Sequence, residues 1–168
     1  MTPRTRNPLA GGLIEVAGHL ADLRGRRIVE QVAFRRAISS AYYAVFHSLC
    51  QICCEGLGLW TGPGDEVEAI YRHLEHNKAR EVLGSARARA LHEDVGRIGD
   101  ALIDLRRLRE DADYNQPGRF GGDQKLLTRS ETRTLIAVAD ETVRLLDSLP
   151  PTIRRKLAIM LTVRSSRR

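Results

Sequence analysis

The sequence predicts an all-α protein, an up-and-down bundle of four to five helices formed by residues 1–151. Three observations predict it. Apolar residues recur at steps of three and four along several long segments, the mark of amphipathic helices. No segment shows the two-residue alternation of a half-buried strand. The links between the periodic segments are mostly short, as antiparallel neighbours require, and 168 residues suffice for one ordinary core.

The opening helix starts near Asn7-Pro8, a cap residue followed by proline in the first turn, and carries Leu13, Val16, Leu20 and Leu23 towards Arg24-Gly25. The second is the longest. Ile28, Phe34, Ile38, Ala41, Tyr42, Val45, Phe46 and Leu49 form its broad apolar face, and Ala33, Ala37 and Ala44 beside it leave room for a close helical neighbour. It stops near Gly56, and Thr61-Gly62-Pro63-Gly64 reads as a turn. Asp65 and Glu68 then have the spacing of a cap and its third-position acid, opening a third helix through Val67, Ile70, Tyr71 and Leu74 to about residues 82–84. The fourth runs over residues 88–114 with Leu91, Val95, Ile98, Leu102, Leu105 and Ala112 in one stripe. Asn115-Gln116-Pro117-Gly118 ends it. Thr128 and Glu131 make a capping-box pattern before the fifth helix, whose stripe is Leu135, Ala139, Val143, Leu146 and Leu149 and which Pro150-Pro151 closes.

Residues 152–168 read as a basic tail with room for a short helix. They hold Arg154, Arg155, Lys156, Arg164, Arg167 and Arg168 without an acid, which matches the entire net charge of +6 and leaves the body balanced. Such a tail is either a solvated end or a generic electrostatic contact for RNA, an acidic partner or an anionic surface. No apolar run approaches the roughly twenty residues of a membrane span. The first residues lack the apolar core of a signal peptide. Cys50, Cys53 and Cys54 are too close together for a disulfide framework, so a reducing, cytoplasmic setting is expected. His47, Cys50 and Cys54 share a helix face, but a structural zinc wants four ligands, and buried reduced thiols are the expectation. No metal and no cofactor is expected.

Arg36, Ser40, Tyr43 and His47 fall at steps of four, three and four, forming a polar stripe along the second helix. It is either a solvated face or a groove wall offering a cation, a phenol and an imidazole. Arg109 has the helical phase of Ile98, Leu102 and Leu105, so its guanidinium needs a partner, and Asp113 one turn on can accept bidentately. That pair either closes the bundle end or aims the arginine at a ligand.

Arg36-Ala37-Ile38-Ser39-Ser40-Ala41-Tyr42-Tyr43-Ala44-Val45-Phe46-His47 resembles the R-A-x-S-x-A-Y-Y-A-x-F-H helix of prokaryotic HEPN proteins, and Arg109-Glu110-Asp111-Ala112-Asp113-Tyr114 resembles their R-x-x-A-D-Y signature. His76 stands roughly where such proteins often carry a histidine opening the next helical stretch. The likeness spans residues 11–149 in layout, with only the two short motifs specific. It implies an HEPN-like bundle, often a homodimer, that works in RNA cleavage, RNA or nucleotide binding, or toxin–antitoxin systems beside a minimal nucleotidyltransferase partner. The ligand-binding residues it suggests are Arg36, Tyr43, His47, Arg109, Asp113 and Tyr114. In ribonuclease branches of the family four to six residues separate an arginine from a following histidine, and the counterpart position after Arg109 is offset from that spacing. Here Asp113 stands in that place, and a carboxylate with a reference pKa of about 4 is a poor general acid at neutral pH. Arg87 and His92 do have the ribonuclease spacing. In a metal-independent endoribonuclease His92 would move a proton from a ribose 2′-hydroxyl while Arg87 stabilised the phosphorane. A third reading is a structural subunit with the tail as its docking segment.

Overall fold

Four of the helices among the described residues of this chain start on a side chain that accepts from their first free amides. A computed structural model describes residues 6–59, 64–123 and 125–163, and holds eight helices among them. Helix α1 (Pro8–Asp22) begins at Asn7, whose side chain accepts from Leu9 N at 3.0 Å and Ala10 N at 3.2 Å. Helix α2 (Arg27–Gly56) is followed by α3 (Asp65–His73), α4 (His76–Gly84), α5 (Ala86–Arg89) and α6 (Glu93–Tyr114). Helix α7 (Arg129–Ser148) starts on the expected Thr128–Glu131 capping box, and α8 (Pro151–Thr162) follows at once. No strand is present among the described residues, and no described helix is long and apolar enough to cross a membrane.

The all-α bundle is therefore as expected, but its subdivision differs. The third periodic segment breaks at Leu74, whose extended backbone turns its side chain into the core between α3 and α4. The fourth breaks before α6 because His92 is extended and caps the new helix, its Nδ1 accepting from Asp94 N at 3.2 Å. Gly64, not Asp65, is the cap position of α3, and Asp65 sits in the first turn. Residues 61–63 of the expected turn lie outside the described residues.

The core is built on α2, which packs against α1, α6, α7 and α8. Its alanines work as anticipated, with Ala33, Ala37 and Ala44 all buried. The α1 stripe is as expected at Leu13 and Leu20, which pack against the core, but not at Val16 and Leu23. Val16 is 48% exposed, and the buried face is Ala10, Ala17 and Ala21, which share the core with Ala37, Ala41 and Ala44. Small residues on both helices let the backbones approach closely, so α1 buries its alanine edge fully, with Leu13, Ile14 and Leu20 packed half-buried beside it. Helix α8 belongs to the bundle, since Leu157, Ala158 and Leu161 are buried in the same core. Arg154 is buried as well, pairing with Glu55 of α2 and donating to Asp147 O at 2.6 Å. Arg164, Arg167 and Arg168 of the basic end lie outside the described residues.

A second, smaller core of Phe34, Ile38, Ala112, Phe120 and Leu127 lies beneath the connection from α6 to α7. It brings the beginning of α2, the end of α6 and the following loop together.

Candidate functional site

Helices α2 and α6 pack so that the two motif segments face each other. Asp113 is the centre of the contact. Its Oδ2 lies 2.8 Å from Arg109 Nε, and its Oδ1 accepts from Ser39 Oγ at 2.6 Å and lies 3.5 Å from Arg36 Nη1. The Arg109 Nε contact is a close charge pair without the alignment of a hydrogen bond, because the N–H does not point along the oxygen. Asp113 is only 13% exposed, so its charge is held by these three groups rather than by water.

Arg109 does not fork onto Asp113. Its Nη2 instead donates to Tyr43 Oη at 2.6 Å, so the planar guanidinium bridges the carboxylate of its own helix and the phenol of α2. Its carbon lies 5.9 Å from the Tyr42 ring centre, 5.3 Å from Tyr43 and 5.8 Å from Tyr114, within cation–π range of all three. Burial opposes the arginine's charge, but Tyr43 and Asp113 outweigh it and its pKa is raised.

Behind Tyr43 the site turns aromatic. The Tyr42 hydroxyl and His76 Nδ1 are 2.6 Å apart. Burial raises the Tyr42 pKa and, with Arg109 and Arg106 adding to it, lowers that of His76. Both groups are therefore neutral at neutral pH and share one proton-bearing contact, the phenol and the imidazole each being able to donate or accept. His76 also packs on Phe46 with ring centres 3.9 Å apart. His47 lies beyond, stacked on Tyr71 at 5.5 Å with its backbone carbonyl accepting from Asn7 Nδ2 at 3.0 Å. Burial lowers the His47 pKa, and its Nδ1 is buried with no hydrogen-bond partner. The thiols of Cys50 and Cys53 are buried next to this layer, and burial pushes Cys50 up to about 12. They are inert packing at neutral pH.

Five of the expected residues, Arg36, Tyr43, Arg109, Asp113 and Tyr114, thus meet at one contact, and His47 adjoins it through Tyr43, ring centres 6.3 Å apart. Arg87 and His92 take no part in it. Arg87 is exposed on α5, and the His92 ring serves the α6 cap with Asp94. Several participants were not anticipated. Ser39, rather than Ser40 of the polar stripe, reaches Asp113, so the seam takes Arg36 and Tyr43 from the stripe and its serine from the neighbouring position. Arg35 holds the loop after α6 through the carbonyl oxygens of Ala112, Asn115, Gln116 and Arg119. No side-chain pattern announces that role, since its partners are backbone oxygens.

The outer surface of the site keeps a cation and an aromatic ring in solvent. Arg36 is 62% exposed and Tyr114 is 75% exposed. No family model matches the chain, and no curated protein or solved structure matches it either.

Proposed function

We propose that this chain is an HEPN-type module that binds a phosphate-bearing ligand, RNA foremost, on the face shared by α2 and α6. One observation carries the reading. Arg36 stays mostly in solvent although Asp113 is within reach, and it stands beside an Arg109 whose orientation Tyr43 and Asp113 already hold. A guanidinium held in advance loses little freedom on meeting a phosphate oxygen, and an exposed one beside it supplies a second fork. The exposed Tyr114 ring adds a surface of the kind on which single-stranded nucleic acids stack. The toxin–antitoxin or defence setting, the homodimer and the nucleotidyltransferase partner belong to the same proposal through the resemblance of the two motifs.

The test is binding of total cellular RNA and of short defined RNAs, in chelator, across a salt series. Saturable binding whose salt dependence becomes shallower in Arg36→Ala, by about 0.7–1 in the log–log slope, supports the reading. Binding unaffected by Arg36→Ala and Arg109→Ala alike rejects it. The same mixtures on a denaturing gel report cleavage, and cleavage by the wild type that is lost in His92→Ala with the fold intact would put the alternative Arg87–His92 ribonuclease reading first.

A further inference from the structure

A concave surface adjoins the arginines that the phosphate reading leaves unused. It encloses about 540 Å³, and Tyr114, Asn115, Gln116, Arg119, Phe120 and Asp123 are among the residues lining it. That volume lies within the roughly 300–1,000 Å³ range of small-ligand sites. The wall is built rather than slack. Arg35 donates to the carbonyls of Asn115 at 2.7 Å and Gln116 at 2.9 Å, and Asp111 accepts from Asn115 Nδ2 at 2.9 Å and Gly121 N at 3.0 Å. Phe120 and Asp123 exchange backbone hydrogen bonds at 3.0 and 3.2 Å, and the Phe120 side chain is buried in the small core below. With the loop backbone tied inwards, the side chains of Gln116 and Arg119 remain exposed and without hydrogen-bond partners among the described residues.

Tyr114 joins this cavity to the arginine face, because its ring lies against Arg109 and also lines the cavity. A ligand here meets a cation, an aromatic plane and exposed amide and guanidinium groups, with the Asp123 carboxylate on the same wall. Nucleotides carry the complementary sequence of phosphate, planar heterocycle and polar edge. We propose that the cavity is a nucleobase subsite for single-stranded RNA: one base stacks on Tyr114, its edge is read by Gln116 and Arg119, and its phosphate reaches Arg36. A duplex is excluded, because its bases are stacked on one another and offer no free face. The inference rests on the phosphate-binding reading and adds the base to it.

Fluorescence anisotropy with a labelled single-stranded oligoribonucleotide, an abasic strand of equal length and the corresponding duplex separates the two. In the wild-type protein the single strand binds about 5- to 100-fold more tightly than the abasic strand, the range expected for stacking one base on an aromatic side chain. Tyr114→Ala abolishes that difference, whereas Arg36→Ala weakens both strands alike. Since Tyr114 also touches Arg109, Gln116→Ala is the second variant, and it changes the preference among the four homopolymers without changing abasic binding. Equal binding of the intact and abasic strands, or a preference for duplex, overturns the subsite and leaves phosphate binding standing. Binding of none of the three ligands overturns both.

Discussion

Arg109 is the residue on which the site's geometry depends, because it alone connects Asp113 with Tyr43 across the helix pair. Arg109→Ala leaves a largely buried carboxylate with Ser39 and a more distant Arg36, and is expected to cost roughly 2–4 kcal/mol in urea unfolding. Arg109→Lys recovers only part of the loss, since a point ammonium cannot face both partners as a fork does. The two half-buried imidazoles make a separate prediction. Both pKa values are lowered from the ordinary 6.5, so the unfolded chain takes up protons first as pH falls. Their contribution is intact above the unfolded value and is lost as pH drops through it towards the folded values. Urea midpoints should therefore decline from about pH 7 to about pH 5, and the decline should be shallower in His76→Phe, even though that variant also loses the Tyr42 bond. At this scale helical phase made Arg36 and Tyr43 legible on one helix and Arg109 and Asp113 on another, while Tyr114 and the grouping of all five came from the resemblance of the two motifs. Ser39 and Arg35 were not legible, as phase alone cannot tell which neighbouring position meets a partner helix, nor find an arginine whose partners are carbonyl oxygens.

At the scale of elements, the closest approaches are marked by glycine. A Cβ on Gly99 of α6 would stand 2.6 Å from Leu83 O of α4, and one on Gly56 would stand 2.6 Å from Arg154 O of α8. Gly99→Ala should cost about 1–3 kcal/mol by forcing α4 away from α6. Gly18→Ala on α1 meets nothing within 4 Å and should be neutral or stabilising by about 0.5–1 kcal/mol in thermal unfolding. Helix α8 shows why composition misleads at this level. A segment rich in arginine and lysine reads as a tail, but Leu157, Ala158 and Leu161 give it an apolar edge and the buried Arg154 is matched by Glu55 on another helix. That match involves residues 99 positions apart, which no local reading can see. Arg154→Ala leaves Glu55 with Gln51 and Arg6, and should cost about 2–4 kcal/mol, whereas exposed Arg155→Ala should be nearly neutral.

For the whole molecule, one hydrophobic cluster contains residues of α1, α2, α4, α6, α7 and α8. Unfolding should therefore be a single cooperative step, with far-ultraviolet circular dichroism and tyrosine fluorescence giving coincident urea transitions. A transition in which α8 melts ahead of the rest would contradict its place in that cluster. The bundle itself was readable because long segments with a clear 3.6-residue period decide their own state, and the breaks at Leu74 and His92 were missed because the apolar stripe runs through both.

The Ser39–Asp113 and Tyr43–Arg109 contacts also bear on how sequences related to this one can vary. Each motif holds half of two hydrogen bonds whose other half lies in the opposite motif, while the Arg109–Asp113 charge pair lies within one motif, so loss of Ser39 or Tyr43 alone leaves the charges matched. In related sequences Arg109 and Asp113 should therefore change together, with Asp113 giving way to a neutral residue only where Arg109 does so too, and Ser39 and Tyr43 should follow them more loosely. Exposed neighbours such as Arg107, bound to no partner motif, should substitute freely. Coupled change of Arg109 and Asp113, rather than the length of either motif, is then the expected mark of a sequence that keeps this site.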